Sequence, residues 1–185
     1  MSADSYFIRD QNAIHFLTFT MVEWIDVFTR SAYKIVVADA LEYCRHHKGL
    51  KLYAFCLMTN HLHLICQTSE PFLMTDFIRD FKKHTAKEVI KKIIEEPESR
   101  RSWLLDQFRY EGKYDKRITT YKFWQEGYHA VQLDTNDMID QRIEYTHQNP
   151  VRTLIVEQAE DYLFSSARNY ASLGGIIEID LAEYL

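Results

Sequence analysis

A chain of 185 residues and 22.1 kDa, 46% hydrophobic and 26% charged with only 5 Gly and 3 Pro, has the composition of one folded domain, here taken as residues 1–185. That balance excludes disordered, collagen-like and linker-rich classes. The total charge of −5 speaks against general polyanion binding, yet 13 Lys/Arg against 8 Asp/Glu between Ile78 and Gln125 leave a basic middle inside an acidic shell. Such a middle fits either a defined nucleic-acid track or chance clustering on solvated helices.

No apolar run is long enough for a membrane span, and MSADSYFIRDQ lacks the basic start and apolar stretch of a secretory signal. Cys44, Cys56 and Cys66 form an odd set without CxxC spacing. Reduced thiols and a cytoplasmic location are therefore expected, with no membrane partner.

In chain order, AIHFLTFTM (residues 13–21) is β-branched and aromatic and predicts a strand. Residues 31–47 carry Ile35, Val36, Ala40, Leu41 and Cys44 at helical spacing, with Gly49 as the stop. LKLYAFCLM (50–58) and HLHLICQ (61–67) predict two strands joined by Thr59-Asn60 as a tight hairpin. Thr75 is the expected N-cap of a helix running to about residue 95, with Phe77, Ile78, Phe81, Val89, Ile90 and Ile93 on its buried side. A short helix around 103–108 and a charged loop are expected within the basic segment 97–122. A short strand follows at 129–133. A helix capped by Asp134 or Thr135 should end near Asn149, because Pro150 disfavours helical dihedrals in the residue before it. A last short helix near 165–171 precedes Gly174-Gly175 and an acidic tail, 174–185. The order β-α-β-β-α-β-α predicts an α+β fold, a ferredoxin-like antiparallel sheet with the helices packed on one face.

Three features carry chemistry. His61-Leu62-His63 lies on a predicted strand, so both imidazoles leave one face while Leu62 and Leu64 enter the other. Two such rings form half of a divalent-metal site, although the pair alone is equally consistent with two histidines on a half-exposed strand. Tyr145 and Asn149 are spaced i, i+4 on the last long helix, with Tyr145 roughly 200° around the helix from the apolar Ile143. Tyr145 is thus either an amphipathic surface residue or a functional one, and Asn149 either a helix-terminal residue or a ligand. Third, Arg79, Lys83, Lys87 and Lys91 recur every four residues with Lys82 beside them, a stripe suited to pairing with successive phosphates or to a solvated face.

Together these segments resemble the single-tyrosine HUH transposases, specifically the REP-associated tyrosine transposase branch. The resemblance is carried by AIHFLTFT, AFCLMTNHLHLI, DFIRDFKKHTAKEV, FWQEGYHA, IEYTHQNPVR and YLFSSARNYA, over residues 13–173. It implies His61 and His63 as the paired metal ligands and Asn149 as the residue completing the site. By the same resemblance Tyr145, on a late helix, is the nucleophile, and Arg79, Lys82, Lys83, Lys87 and Lys91 lie on the DNA-contacting helix. The implied cofactor is Mg²⁺ or Mn²⁺, and the implied partner is single-stranded DNA with hairpin-forming ends, handled as a monomer or homodimer. Thr59 departs from the pattern where proline is common, and the segment 97–122 looks like a basic insertion.

The activity so implied is strand cleavage and transfer through a 5′-phosphotyrosine. The alternatives are a non-catalytic single-stranded nucleic-acid-binding module and a metal-dependent phosphodiesterase that uses water.

Overall fold

The computed structural model describes residues 8–113, 115 and 120–181. The charged loop expected within 97–122 falls partly outside them, at 114 and 116–119, as does the end of the acidic tail, 182–185. Among the described residues, β1 (His15–Thr20), β2 (Leu50–Leu57), β3 (His61–Thr68) and β4 (His129–Gln132) form an antiparallel sheet in the order β2-β3-β1-β4. α1 (Ser31–His47) links β1 to β2, while α2 (Met74–Glu95) and α3 (Arg101–Gly112) lie between β3 and β4. This is the expected α+β, ferredoxin-like order. No helix among the described residues is long and apolar enough to cross a membrane.

Successive strand residues face opposite sides of a sheet. β1 is apolar at both parities, with Leu17 and Phe19 in one core and Phe16 in another; β3 repeats this with Leu62 and Leu64 against Ile65. A sheet apolar on both faces needs cover on both. Tyr33, Val37 and Leu41 of α1 and Phe77, Phe81 and Val89 of α2 cover the first face. Ile139 and Ile143 of α4 (Asn136–His147) cover the second, against Phe16, Ala54 and Ile65. The expectation that the helices share one face therefore holds for α1 and α2 and is corrected for α4. Leaving Phe16 or Ile65 wet would forfeit about 1.5–3 kcal/mol each, which is why a late helix must lie there.

Helix ends follow local chemistry with two exceptions. Gly49 adopts φ +61° directly after α1, as a C-terminal stop does. Thr135 caps α4 by accepting from the Met138 N–H at 3.3 Å. Thr75, by contrast, is not the N-cap of α2: it sits inside the first turn, and its N–H and hydroxyl both donate to Gln11 Oε1 at 3.0 Å. A side chain from the segment before β1 thus satisfies an orphan donor of the helix. At the other exception, Pro150 does not simply end a helix. It opens a separate turn, α5 (Asn149–Arg152), where its missing N–H costs nothing.

The outer edge of β2 is covered by the C-terminal segment. Leu57 N–H donates to Phe164 O (2.9 Å), Ser166 N–H to Phe55 O (3.0 Å) and Asp180 N–H to Leu52 O (2.8 Å). α6 (Ala167–Tyr170) follows. Ser166 Oγ also accepts from Phe55 N–H at 2.9 Å and pairs with His147 Nε2 at 2.8 Å, fastening the end of α4 to the sheet.

Candidate active site

β3 places His61 and His63 on the α4 face of the sheet, with ring centroids 4.7 Å apart and planes at 70°. Each Nδ1 is held by a neighbour. His61 Nδ1 donates to Asn60 Oδ1 at 2.7 Å, because an amide oxygen only accepts, and His63 Nδ1 meets Thr18 Oγ1 at 3.0 Å. Thr18 is there because β1 pairs it directly opposite His63. Partners on Nδ1 fix the orientation of both rings, as outer partners do for ligating imidazoles. The turn before β3 is pinned as well. Thr59, the residue that departs from the family pattern, donates to Asp26 Oδ1 at 2.6 Å, and Asn60 Nδ2 donates to Trp24 O at 3.3 Å.

Burial, with added positive charge from His61, His129 and Arg142, pulls the His63 imidazole down to about 3. Burial lowers His61 too, partly opposed by its hydrogen bond with the Asn149 side chain. Both rings are therefore neutral at pH 7, the form that ligates metals. Asn149 is itself buried, at the junction of α4 and α5.

One turn before Asn149, the half-buried Tyr145 packs edge-on against His63 (centroids 5.5 Å) and Phe16 (6.0 Å). Phe16 in turn stacks on His63 at 5.3 Å. The fold thus brings His61, His63, Tyr145 and Asn149 into one cluster within a single chain.

Sequence reasoning missed three neighbours of this cluster. The guanidinium of Arg142 lies 6.0 Å from the Tyr145 ring centroid and that of Arg152 lies 4.7 Å from it. His129, opposite Thr18 on β4, meets Phe16 edge-on at 6.3 Å, so His63, Thr18 and His129 form a row across three strands. His129 and Arg152 lie within FWQEGYHA and IEYTHQNPVR, and membership of those segments was the only signal for them. For Arg142 the signal was its i, i+3 spacing to Tyr145 on the predicted helix.

The basic stripe of α2 serves more than one purpose. Arg79 is bound to its own helix's acids, Asp76 at 2.7 Å and Asp80 at 2.8 Å. Lys82 is a strut between elements: its Nζ donates to Gln125 O (2.8 Å) and Gly127 O (2.7 Å), and burial pushes it down to about 8. Lys83, Lys87 and Lys91 are exposed. α2 covers the sheet face opposite the two histidines, so these lysines do not border the cluster.

Comparison with known proteins places these features. The IS200-like transposase family matches residues 11–149, which include both histidines, Tyr145 and Asn149. The chain is similar to a solved REP-associated tyrosine transposase bound to a REP hairpin, at TM-score 0.66 and 15% identity over 100% of this chain and 98% of that one. It also resembles, at TM-score 0.43 and 14% identity, a candidate transposase from Deinococcus radiodurans, over 79% of this chain and 98% of that one. No curated protein is significantly similar. A family match over this much of the chain, joined to the same α+β fold, is decisive: the chain belongs to the IS200-like transposase family.

Proposed function

We propose that this transposase cuts and rejoins single-stranded DNA with hairpin-forming ends through a 5′-phosphotyrosine on Tyr145, working as one domain with its site complete in cis. The observation that supports this reading most is the convergence of the Tyr145 ring on His63 at 5.5 Å, with the buried Asn149 one turn on and its side chain acting on His61. The hairpin bound to the similar REP-associated transposase supports the substrate class.

The residues fit a divalent cation. Two neutral imidazoles and one amide are donors for Mg²⁺ or Mn²⁺, and both Nδ1 atoms already have outer partners. The buried amide of Asn149 is taken as the third donor, as the family resemblance implies. Burial pushes the Cys56 thiol up to about 12 and raises Cys66 further, which keeps thiolates out of the set. A cation held by His61, His63 and Asn149 supplies positive charge to the non-bridging oxygens of the phosphate.

A neutral phenol is a weak nucleophile, so positioning carries much of the catalysis. The Tyr145 oxygen attacks phosphorus and the bond from phosphorus to the 3′-oxygen breaks. The phenolic proton passes to solvent and the released 3′-oxygen takes one up. A 3′-hydroxyl from another strand then displaces the tyrosine by the reverse step, and the covalent linkage conserves the bond energy between the two. On the opposite face, Lys83, Lys87 and Lys91 track the flanking backbone.

Labelled single-stranded DNA incubated with the protein and Mn²⁺ and run on a denaturing gel tests the reading. A protein–DNA adduct that disappears in Tyr145→Phe is expected. Strand cleavage that survives the substitution would instead make water the nucleophile, and binding without cleavage would leave only a binding module.

A further inference from the structure

We propose that Arg142 and Arg152 form an anion clamp that seats the phosphate attacked by Tyr145 and retains it after transfer, an inference that rests on Tyr145 being the nucleophile. The two arms come from different elements. Arg142 sits on α4 three residues before Tyr145, and Arg152 ends the short turn α5 that Asn149 begins. They meet at one phenol, with guanidinium carbons 6.0 Å and 4.7 Å from its ring centroid. Arg142 also lies 5.0 Å over Phe16, the ring that stacks on His63, so its charge stands one ring away from the imidazole pair. Its field is among the causes that depress His63.

Neither arginine has a carboxylate partner among the described residues, and neither is taken up by backbone carbonyls as Arg101 and Arg168 are. Arg45, Arg79, Arg100 and Arg109 each hold an ion pair with Asp or Glu. Arg142 and Arg152 hold none, although Asp140 and Glu144 line the same depression of about 620 Å³ together with Gln141 and Tyr145. A guanidinium is a planar fork of donors whose geometry matches two phosphate oxygens, and stacking on an aromatic face keeps the fork pre-oriented. In phosphoryl transfer the charge spreads over the non-bridging oxygens, and two forks beside the nucleophile can meet that charge. Neither arginine touches the reacting atoms in the structure, so both are positioning residues. Arg152 also lies beyond the residues matched by the family, 11–149.

The test uses the full chain with two readouts. In a Tyr145→Phe background without metal, binding of a 20-nucleotide thymidine strand is measured against salt. Arg142→Gln and Arg152→Gln should each flatten the log–log slope by about 0.7, the share of one phosphate on a single strand, while the Lys versions keep it. In the parent protein at saturating strand with Mn²⁺, the rate of adduct formation should fall by about 100-fold in Arg152→Gln and recover partly in Arg152→Lys. Unchanged slopes with normal adduct formation in both Gln variants would overturn the clamp and leave the reading of Tyr145 intact. Reduced slopes in a protein that forms no adduct even as wild type would support the anion site and overturn that reading instead.

Discussion

Burial holds the functional histidines uncharged, and the same burial makes stability depend on pH. His147, buried at the end of the nucleophile helix and bound to Ser166, is pushed down to about 4. An unfolded histidine titrates near 6.5, so between about pH 6.5 and 4 the unfolded state binds the extra proton and stability falls as pH falls. His63, near 3, acts with the same sign over a longer window. The urea midpoint of the metal-free protein is therefore expected to drop from pH 7 to pH 5, by up to about 1.4 kcal/mol per pH unit for each histidine. His147→Gln, which can still bond Ser166, should flatten that dependence; an unaltered slope would show that His147 is not held neutral by the fold. At this scale the sequence was informative where spacing alone decides geometry. His61 and His63 must share a strand face, whereas Tyr145 and Asn149, four residues apart, fall on either side of the break between α4 and α5. Arg152 and His129 were not legible, because their place around Tyr145 depends on packing between separate elements, whereas Arg142 stands at i, i+3 to Tyr145 and was overlooked.

Elements obey the same division between local and distant causes. The period of α2 correctly marks Phe77, Phe81 and Val89 as core and the lysines as surface. Lys82 escapes that rule because its partners, the carbonyls of Gln125 and Gly127, lie in a segment 43 and 45 residues away. Likewise Thr75 cannot reveal that Gln11, 64 residues earlier, supplies the oxygen it bonds. Lys82→Met should therefore cost about 1–3 kcal/mol of stability by leaving two carbonyls without a donor, with little change in the salt dependence of DNA binding. Replacing Lys83, Lys87 and Lys91 together by Gln should do the reverse: stability is kept, and the salt slope for a single strand falls by up to about 0.7 for each lysine that had paired with a phosphate. Thermal unfolding and fluorescence anisotropy on the two variants separate strut from rail. A stable Lys82→Met protein with weakened DNA binding would return Lys82 to the rail.

Across the whole molecule, strand order is what assembles chemistry. Because β3 and β1 are central, the His pair and Thr18 lie mid-sheet, and an apolar second face calls α4 down over them. The C-terminal segment then ties α4 to the edge of β2 through Ser166, closing the edge and fixing the helix that carries Tyr145. The element order made the α+β sheet legible, but the neighbouring apolar pairs Phe16-Leu17 of β1 and Leu64-Ile65 of β3, the sign of a sheet covered on both faces, do not say which later element supplies the cover. The most direct measurement of the account is mass spectrometry of the trapped, nuclease-trimmed protein–DNA adduct. A nucleotide joined by its 5′-phosphate to the peptide bearing Tyr145 is the expected result. A nucleotide on any other residue, or a 3′-phosphate linkage, would contradict the account.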